Sequence, residues 1–516
     1  PAPTPEATPA TEGLPEAEPA ATPPRAVQVK EDDRPSSSAA TSGSNTLAGS
    51  AATAAASTPP PALADGAAPP ARQKVEAEAE AAPTAPAAPA PPPLATAPVP
   101  VKGKWSPLLY GIVELDMVHD STQSFQEFPG NGAIARTETF AGSHGRTMFG
   151  ARHSRLGLKL AAPEYEGIKA SGIVEMDFLG NQPANPPGIS EAAFFSNPAF
   201  RIRHFALKVE TAYVDLLLGQ YWQLFGWQSY FHPNSVEIPG LPGQAFSRTP
   251  QARVSRIFKS EAVNVEAALA AARPPQRDAE TPDGQAGLRL LVNGRKALHT
   301  VGAVLTSTDA MGIGVSGVVR RFVLPELTAA PVATRSTLGW GVSVDALVPI
   351  ISAGMPGSPD EHANALTLTG SFVTGSGIAD LYTGLTGGIA APVYPAPAMG
   401  AAVVAPIDAG LVAYDAAGVL HSINWLSYMA GLQYYLPPSG KVWIALNYSH
   451  MSSGNIAQLA APAAVFTKTD WIEGNLFWEA TPAVRFGAAY AYYKQTRGDG
   501  ESPKNQRIQL SSWFIF

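Results

Sequence analysis

Cysteine is absent from all 516 residues. That excludes a disulfide framework, a thiolate metal centre and a lipidated N-terminal Cys. Aromatic residues are absent from residues 1–104, so all 20 Phe, 9 Trp and 15 Tyr begin at Trp105. Long apolar runs are missing as well. The two nearest approaches, 381–407 and 416–440, are broken by Pro392, Pro395, Pro397 and Pro406 and by Pro437-Pro438. A spanning helix needs about 20 continuous apolar residues, so no transmembrane helix is expected. No charged segment followed by an apolar core opens the chain, so any signal peptide is expected to have been removed. A basic surplus is lacking too, which argues against nucleic-acid binding.

What is present divides into two regions. Residues 1–103 are mostly Ala, Pro, Ser, Thr and Glu, and residues 1–100 carry 11 acidic against 5 basic side chains. Such a segment cannot bury enough apolar surface to offset its chain entropy. It is expected to be a disordered, Pro/Ala-rich periplasmic tail, in part extended as polyproline II. Its expected partner is the cell wall or a periplasmic protein. Residues 104–516 are expected to be the folded part.

The dominant pattern from Trp105 onward has period two. In "RIQLSSWFIF" (507–516), Ile508, Leu510, Phe514 and Phe516 share one face, opposite Arg507, Gln509 and Ser511. The stretches 364–374, 426–436 and 441–450 repeat the alternation. A soluble sandwich and a transmembrane barrel both yield such strands. The barrel is favoured by charged residues on the polar faces, by alternating short and long connections, and by aromatics near strand ends. Those aromatics are Tyr434-Tyr435, Tyr490, Tyr492-Tyr493 and Trp513, and they are expected to form an interfacial girdle. Trp513 and Ile515 are at odds with the pattern, since they fall where alternation predicts polarity.

We count 17 candidate strands, and bacterial single-chain barrels use even numbers. Merging 297–306 with 312–323 across "TSTDAMG" gives 16, while splitting another strand gives 18. The expected fold is therefore an all-β, antiparallel transmembrane barrel of 16 strands, with 18 as the alternative count, in the bacterial outer membrane.

A terminal Phe516 closing an amphipathic strand resembles the signal by which outer-membrane barrels engage the barrel-assembly machinery. The segments "SRLGLKLAAPEYEGIKASGIVEMDFLG" (154–180), "FRIRHFALKVE" (200–210) and "LLLGQYWQLF" (216–225) resemble successive strand motifs of DcaP-like trimeric porins. "GSGIADLYTGL" (375–385) is similar to a glycine-rich loop of that family. The resemblance covers 105–516 in patches. It implies a 16-stranded homotrimer that passes small, often anionic solutes, with an internal loop narrowing the pore. The family's N-terminal coiled coil is replaced here by the Pro/Ala tail.

Selectivity in a channel comes from pore width and charged side chains. By alternation, Arg155, Lys159, Arg201, Arg203 and Arg253 are the expected basic pore lining, and Glu114, Asp116, Glu175 and Asp177 the acidic lining. Opposite charges on different sectors of the wall would produce a transverse field. The stretch 220–251 is long and aromatic, and is read as a constriction loop packed through Trp222, Phe225, Trp227, Tyr230 and Phe231, with Glu237 and Arg248 at the eyelet. The alternative reading is an ordinary outward loop. No catalysis, cofactor or metal is expected, because the nine His show no H-E-x-x-H or H-x-H spacing. One enzymatic alternative stands. His450 and Ser452, two apart on the lipid-facing side of a strand, are similar to the His-x-Ser pattern of the outer-membrane phospholipase. It requires a third group to orient the His.

Overall fold

The computed structural model describes residues 104–125, 127–129, 132–180, 199–237, 240–302, 304–354, 362–382, 391–395, 404–460 and 464–516. The tail at 1–103 lies outside them, as do residues 383–385 of the glycine-rich loop.

The wall is a single antiparallel sheet. In chain order its segments are β1 (Ser106–Asp120), β2 (Arg146–Gly150), β3 (Arg155–Ala161), β4 (Lys169–Asp177), β5 (Arg201–Glu210), β6 (Asp215–Trp222), β7 (Arg248–Phe258), β8 (Val263–Ala272), β9 (Asp283–Val301), β10 (Leu305–Pro325), β11 (Thr334–Ile351) and β12 (Leu366–Ser376). A small hairpin, β13 (Val412–Tyr414) and β14 (Leu420–Ser422), stands apart from the wall. The wall resumes with β15 (Asn424–Tyr435), β16 (Val442–Ser452), β17 (Phe466–Thr481), β18 (Val484–Arg497) and β19 (Lys504–Ile515). The sheet has 17 segments, and β2 and β3 both pair with β1, so together they occupy one of 16 positions. Pairing of β1 with β19, from Ile112↔Ile515 to Asp120↔Arg507, closes the circuit and leaves no edge.

The count of 16 arises from a different merger than the sequence suggested. Residues 297–301 continue 286–293 as one strand, β9, and "TSTDAMG" lies inside β10. The register shifts at Ala310/Met311, where Lys296 and Val292 are successive partners, so 293–295 form a bulge. The turn that separates the strands is at 302–304.

Alternation sets the two faces. Val113, Leu115 and Met117 point outward, exposed, and Glu114 and Asp116 point inward, each 1% exposed. The same outward apolar row recurs at Leu156 and Leu158, Leu288 and Leu290, Val342 and Val344, and Leu510 and Phe514. A water-soluble protein does not expose so extensive an apolar surface. Hydrocarbon is the solvent that suits it, and the architecture is that of an outer-membrane barrel.

Turns at one rim are short, at 211–214, 259–262, 302–304 and 482–483, and the last residue of the chain lies at this rim. The other rim carries the long connections, at 121–145, 178–200, 223–247 and 377–423. Three of the girdle aromatics are in fact interior. Tyr435, Tyr493 and Trp513 are each at most 1% exposed, on the inner face, where Tyr435 stacks on Trp443 and Tyr493 on Trp471. Tyr490 does point outward, 48% exposed. Trp513 thus departs from the polar-inside pattern because the inner face is packed there: a side chain at Gly487 would meet both Trp513 and Val236 of loop 223–247.

Candidate functional site

The connection 223–247 between β6 and β7 folds into the lumen. Gly226 (φ 77) and Trp227 (φ 43) turn the chain sharply toward the wall. The Gly226 amide donates to Ser316 Oγ at 2.7 Å, the Phe225 amide to Gln285 Oε1 at 3.0 Å, and Trp227 Nε1 to the Val315 carbonyl at 3.1 Å. Close approach there depends on inner-face glycines. A Cβ at Gly314 would lie 2.7 Å from the Trp227 ring and 2.8 Å from the Phe231 ring, and one at Gly287 would lie 2.8 Å from Trp227. Phe225 and Phe231 are buried, and Tyr230 donates to the Ala310 carbonyl. Arg289 lies 4.9 Å over Trp227 and 4.4 Å over Tyr230.

The loop then crosses to β15–β19. Trp443 Nε1 donates to Asn234 Oδ1 at 2.8 Å, Asn447 Nδ2 to the Asn234 carbonyl at 2.6 Å, and the Val236 amide to Asn475 Oδ1 at 2.9 Å. Arg507 Nη1 donates to Glu237 Oε2 at 2.8 Å and its Nε to Asp120 Oδ1 at 3.0 Å. Burial pushes the Glu237 carboxyl up to about 7, against the pull of Arg507 and His153. Ala245 bridges to Tyr382, and the Phe246 amide donates to the Leu381 carbonyl, so loop 377–423 braces the first loop from above.

The loop therefore covers the walls β9–β11 and β15–β19 and leaves the β1–β6 wall open. A cavity of about 420 Å³ remains between them. Tyr110, Arg155, Lys159, Glu175 and Arg203 line its wall side, and His232, Ser235 and Glu237 its loop side.

The charges of this wall are neighbours, which corrects the expectation of acids and bases on different sectors. Arg203 Nε donates to Glu175 Oε1 at 2.7 Å and its Nη1 to Asp177 Oδ2 at 3.2 Å. Arg201 binds Asp177 through two nitrogens, at 2.9 and 2.6 Å. Arg155 lies 3.7 Å from Glu175. Cross-strand register brings these partners together, since Asp177 pairs with both Arg155 and Arg201. The register shifts at Glu175/Met176, leaving Arg203 as the extra residue of a bulge. Arg203 and His204 are consequently both buried, although strict alternation would set them on opposite faces.

Lys159 is different. It is exposed, lies 5.1 Å over the Tyr110 ring, and has no ion pair among the described residues. Arg253 donates to Gln251 Oε1 and to the Trp222 carbonyl, with no carboxylate partner among the described residues. Arg248 is not among the lining residues of the cavity. It stacks 4.6 Å over buried Trp222 and 5.4 Å over Phe246. Glu114 and Asp116 lie deeper in the wall, beside His153. Sequence spacing did not single out His153, because it lies between β2 and β3, 37 residues from Asp116. Phe516 lies at the seam: Gly111 N donates to its carbonyl at 2.9 Å, and its amide donates to the Gly111 carbonyl at 3.1 Å.

On the outer wall His450 Nδ1 meets Asp470 Oδ1 at 2.8 Å, and the two residues are directly cross-strand. This supplies an orienting group for the imidazole. Among the described residues no hydrogen bond joins His450 to Ser452.

No protein-family model and no curated protein matches the chain. Its structure is similar to the outer-membrane channel DcaP of Acinetobacter baumannii, with a TM-score of 0.56 and 17% identity over 81% of this chain and 99% of that one. An anion-selective porin from Comamonas acidovorans aligns with a TM-score of 0.45 and 11% identity over 80% of this chain and 100% of that one.

Proposed function

We propose that this barrel is an outer-membrane porin for passive diffusion of small hydrophilic solutes, with a preference for anionic ones. The carrying observation is the cavity left between loop 223–247 and the β1–β6 wall, lined by Arg155, Lys159, Arg203 and Glu175 on the wall and Glu237 on the loop. Cations outnumber carboxylates there, and Lys159 has its charge uncommitted. Fixed ion pairs hold the wall in shape, and the free ammonium sets the sign of the local field. The likeness to a protein described as an outer-membrane channel supports the reading at the level of the fold.

On this reading Trp222, Phe225, Trp227, Tyr230 and Phe231 seat a constriction loop, and Phe516 presents the last strand to assembly machinery. The barrel works as a homotrimer, and the tail reaches a cell-wall or periplasmic partner. Planar-bilayer recording tests the central claim. Discrete conductance steps and a reversal potential of anion-selective sign in a potassium chloride gradient are expected. Absence of conductance from folded barrel would overturn it. Chemical crosslinking in detergent that yields no trimer would remove the oligomer.

The Asp470–His450 contact favours a second reading, a lipid hydrolase with Ser452 as nucleophile. Ester hydrolysis by purified barrel, abolished in Ser452→Ala, would establish it. Equal rates in the two proteins would dismiss it.

A further inference from the structure

A second group of side chains lies behind the cavity wall. Glu114 and Asp116 point inward from β1, and His153 reaches them from the break between β2 and β3. All three are buried, at 1%, 1% and 3% exposure. His153 Nδ1 lies 2.8 Å from Asp116 Oδ2 and 3.9 Å from Glu114 Oε1. The other oxygen of Asp116, Oδ1, accepts from Ser511 Oγ and from Gln509 Nε2, which fixes the carboxylate's orientation. Glu114 is not held in this way. Neither of its oxygens makes a hydrogen bond of good geometry, although the Trp513 indole and the Asp116 carboxyl lie beside them and its backbone amide donates to Ser154 Oγ. The second nitrogen of His153, Nε2, is likewise buried without a partner.

A buried carboxylate held by no hydrogen bond of good geometry calls for a compensating charge or donor. The other buried acids of this region have one: Asp120 and Glu237 share Arg507, and Glu127 binds Arg152 at 2.5 Å. Among the described residues the one ion-pair contact of Glu114 is His153, at 3.9 Å.

We propose that Glu114, Asp116 and His153 bind a first-row divalent cation such as Zn²⁺. Two ligand atoms, each about 2.0–2.2 Å from zinc, are at most roughly 4.4 Å apart. Both measured spacings from His153 fall inside that limit, and the ligating atoms of the three residues lie within 4.8 Å of one another, so the two carboxylates close by at most about 0.4 Å on binding. Two carboxylates and a neutral imidazole balance a charge of +2. An imidazole with two oxygens suits zinc or its neighbours better than magnesium or calcium, which favour all-oxygen shells. Three protein ligands leave a coordination position for water. The cation would pin β1 to the break between β2 and β3. No sequence motif marks the site, because His153 lies 37 or more residues from the two acids in the chain and meets them only through the pairing of β1 with its neighbour.

The test uses full-length, tag-free barrel, stripped with a chelator and titrated with Co²⁺ while d–d absorption is followed. Binding of one equivalent per chain is expected, with displacement by Zn²⁺ and loss of the bands in His153→Gln. Glu114→Gln should weaken Co²⁺ at least as much as the roughly 10–100-fold that loss of an outer-shell partner costs. Variant folding is checked by β-sheet circular dichroism. Should a variant not fold, the wild-type titration decides alone. No saturable Co²⁺ or Zn²⁺ binding by folded wild-type barrel, or binding unchanged in a folded Glu114→Gln variant, overturns the proposal.

Discussion

The two halves of the inner wall solve opposite problems. From β9 to β11, and again from β15 to β19, the inward residues that meet the loop are mostly glycines, amides, serines and indoles, such as Gly287, Gly314, Ser316, Asn447, Asn475 and Trp443, joined by Arg289 and Arg507. They accept a backbone at close range and satisfy its polar groups. From β1 to β6 the inward residues are charged, and they bind mostly each other. One half is a seat for the loop and the other a surface for solute. The difference teaches that an inward polar residue in a barrel is not in itself a pore-lining residue. Its neighbours across the strand pair, and whatever the loops lay over it, decide.

Breaking the charged half should have the largest effect. Arg203→Ala removes the direct hydrogen-bonding cation of Glu175, leaving it Arg155 at 3.7 Å while Asp177 keeps Arg201. Loss of one partner from a buried pair costs up to about 3–5 kcal/mol. The midpoint of urea unfolding should fall, and the surviving channels should lose anion preference. A smaller effect is expected from the seat. Gly314→Val places methyl groups against Trp227 and Phe231, an overpacking that costs about 1–3 kcal/mol. The loop should leave the wall, single-channel conductance should rise, and protease should cut within 223–247.

The junction of the halves should respond to pH. Glu237 in the seated loop titrates at about 7 because burial disfavours its charged form. Its carboxyl has an ordinary, lower pKa when the loop swings into water. Protonation therefore favours seating. That stabilisation is complete below the ordinary carboxylate range and is lost as pH rises through about 7. Loop excursions, seen as current noise, should increase over that interval, and Glu237→Gln should flatten the response. The smallest structural effect belongs to Lys159→Gln. With no ion pair to lose, it should leave the unfolding midpoint within about 0.5 kcal/mol of wild type and still move the reversal potential toward zero.

Much of the fold was legible because the signal is repeated in every strand. The alternation around Val113–Met117 or Ile508–Phe514 records which side meets hydrocarbon, and that demand does not depend on context. The long aromatic stretch 220–251 stood out for the same reason, since it breaks the period. Interior detail was less legible. Tyr435, Tyr493 and Trp513 point inward against the polar rule because loops fill the lumen beside them, and no local pattern records that filling. The Arg203 bulge depends on the register between β4 and β5. The group at Glu114, Asp116 and His153 needs β1 and its neighbour already paired. Strand boundaries near 293–304 misled because a bulge and a turn carry similar residues, "NGRK" and "VGAV".

The seam between β1 and β19 bears on how the barrel is made. The other pairings in the wall join segments close in chain order, whereas Asp116 and Ser511 meet across 395 residues. Bringing such distant segments together is entropically expensive and slow. Both β1 and β19 are open edges until it happens, each able to pair with another chain. Closure is thus the step at which assembly commits. Substitutions of the outward residues Val113, Leu115, Leu510 or Phe514 along this seam should lengthen the lifetime of the open intermediate while leaving the conductance of finished barrels unchanged.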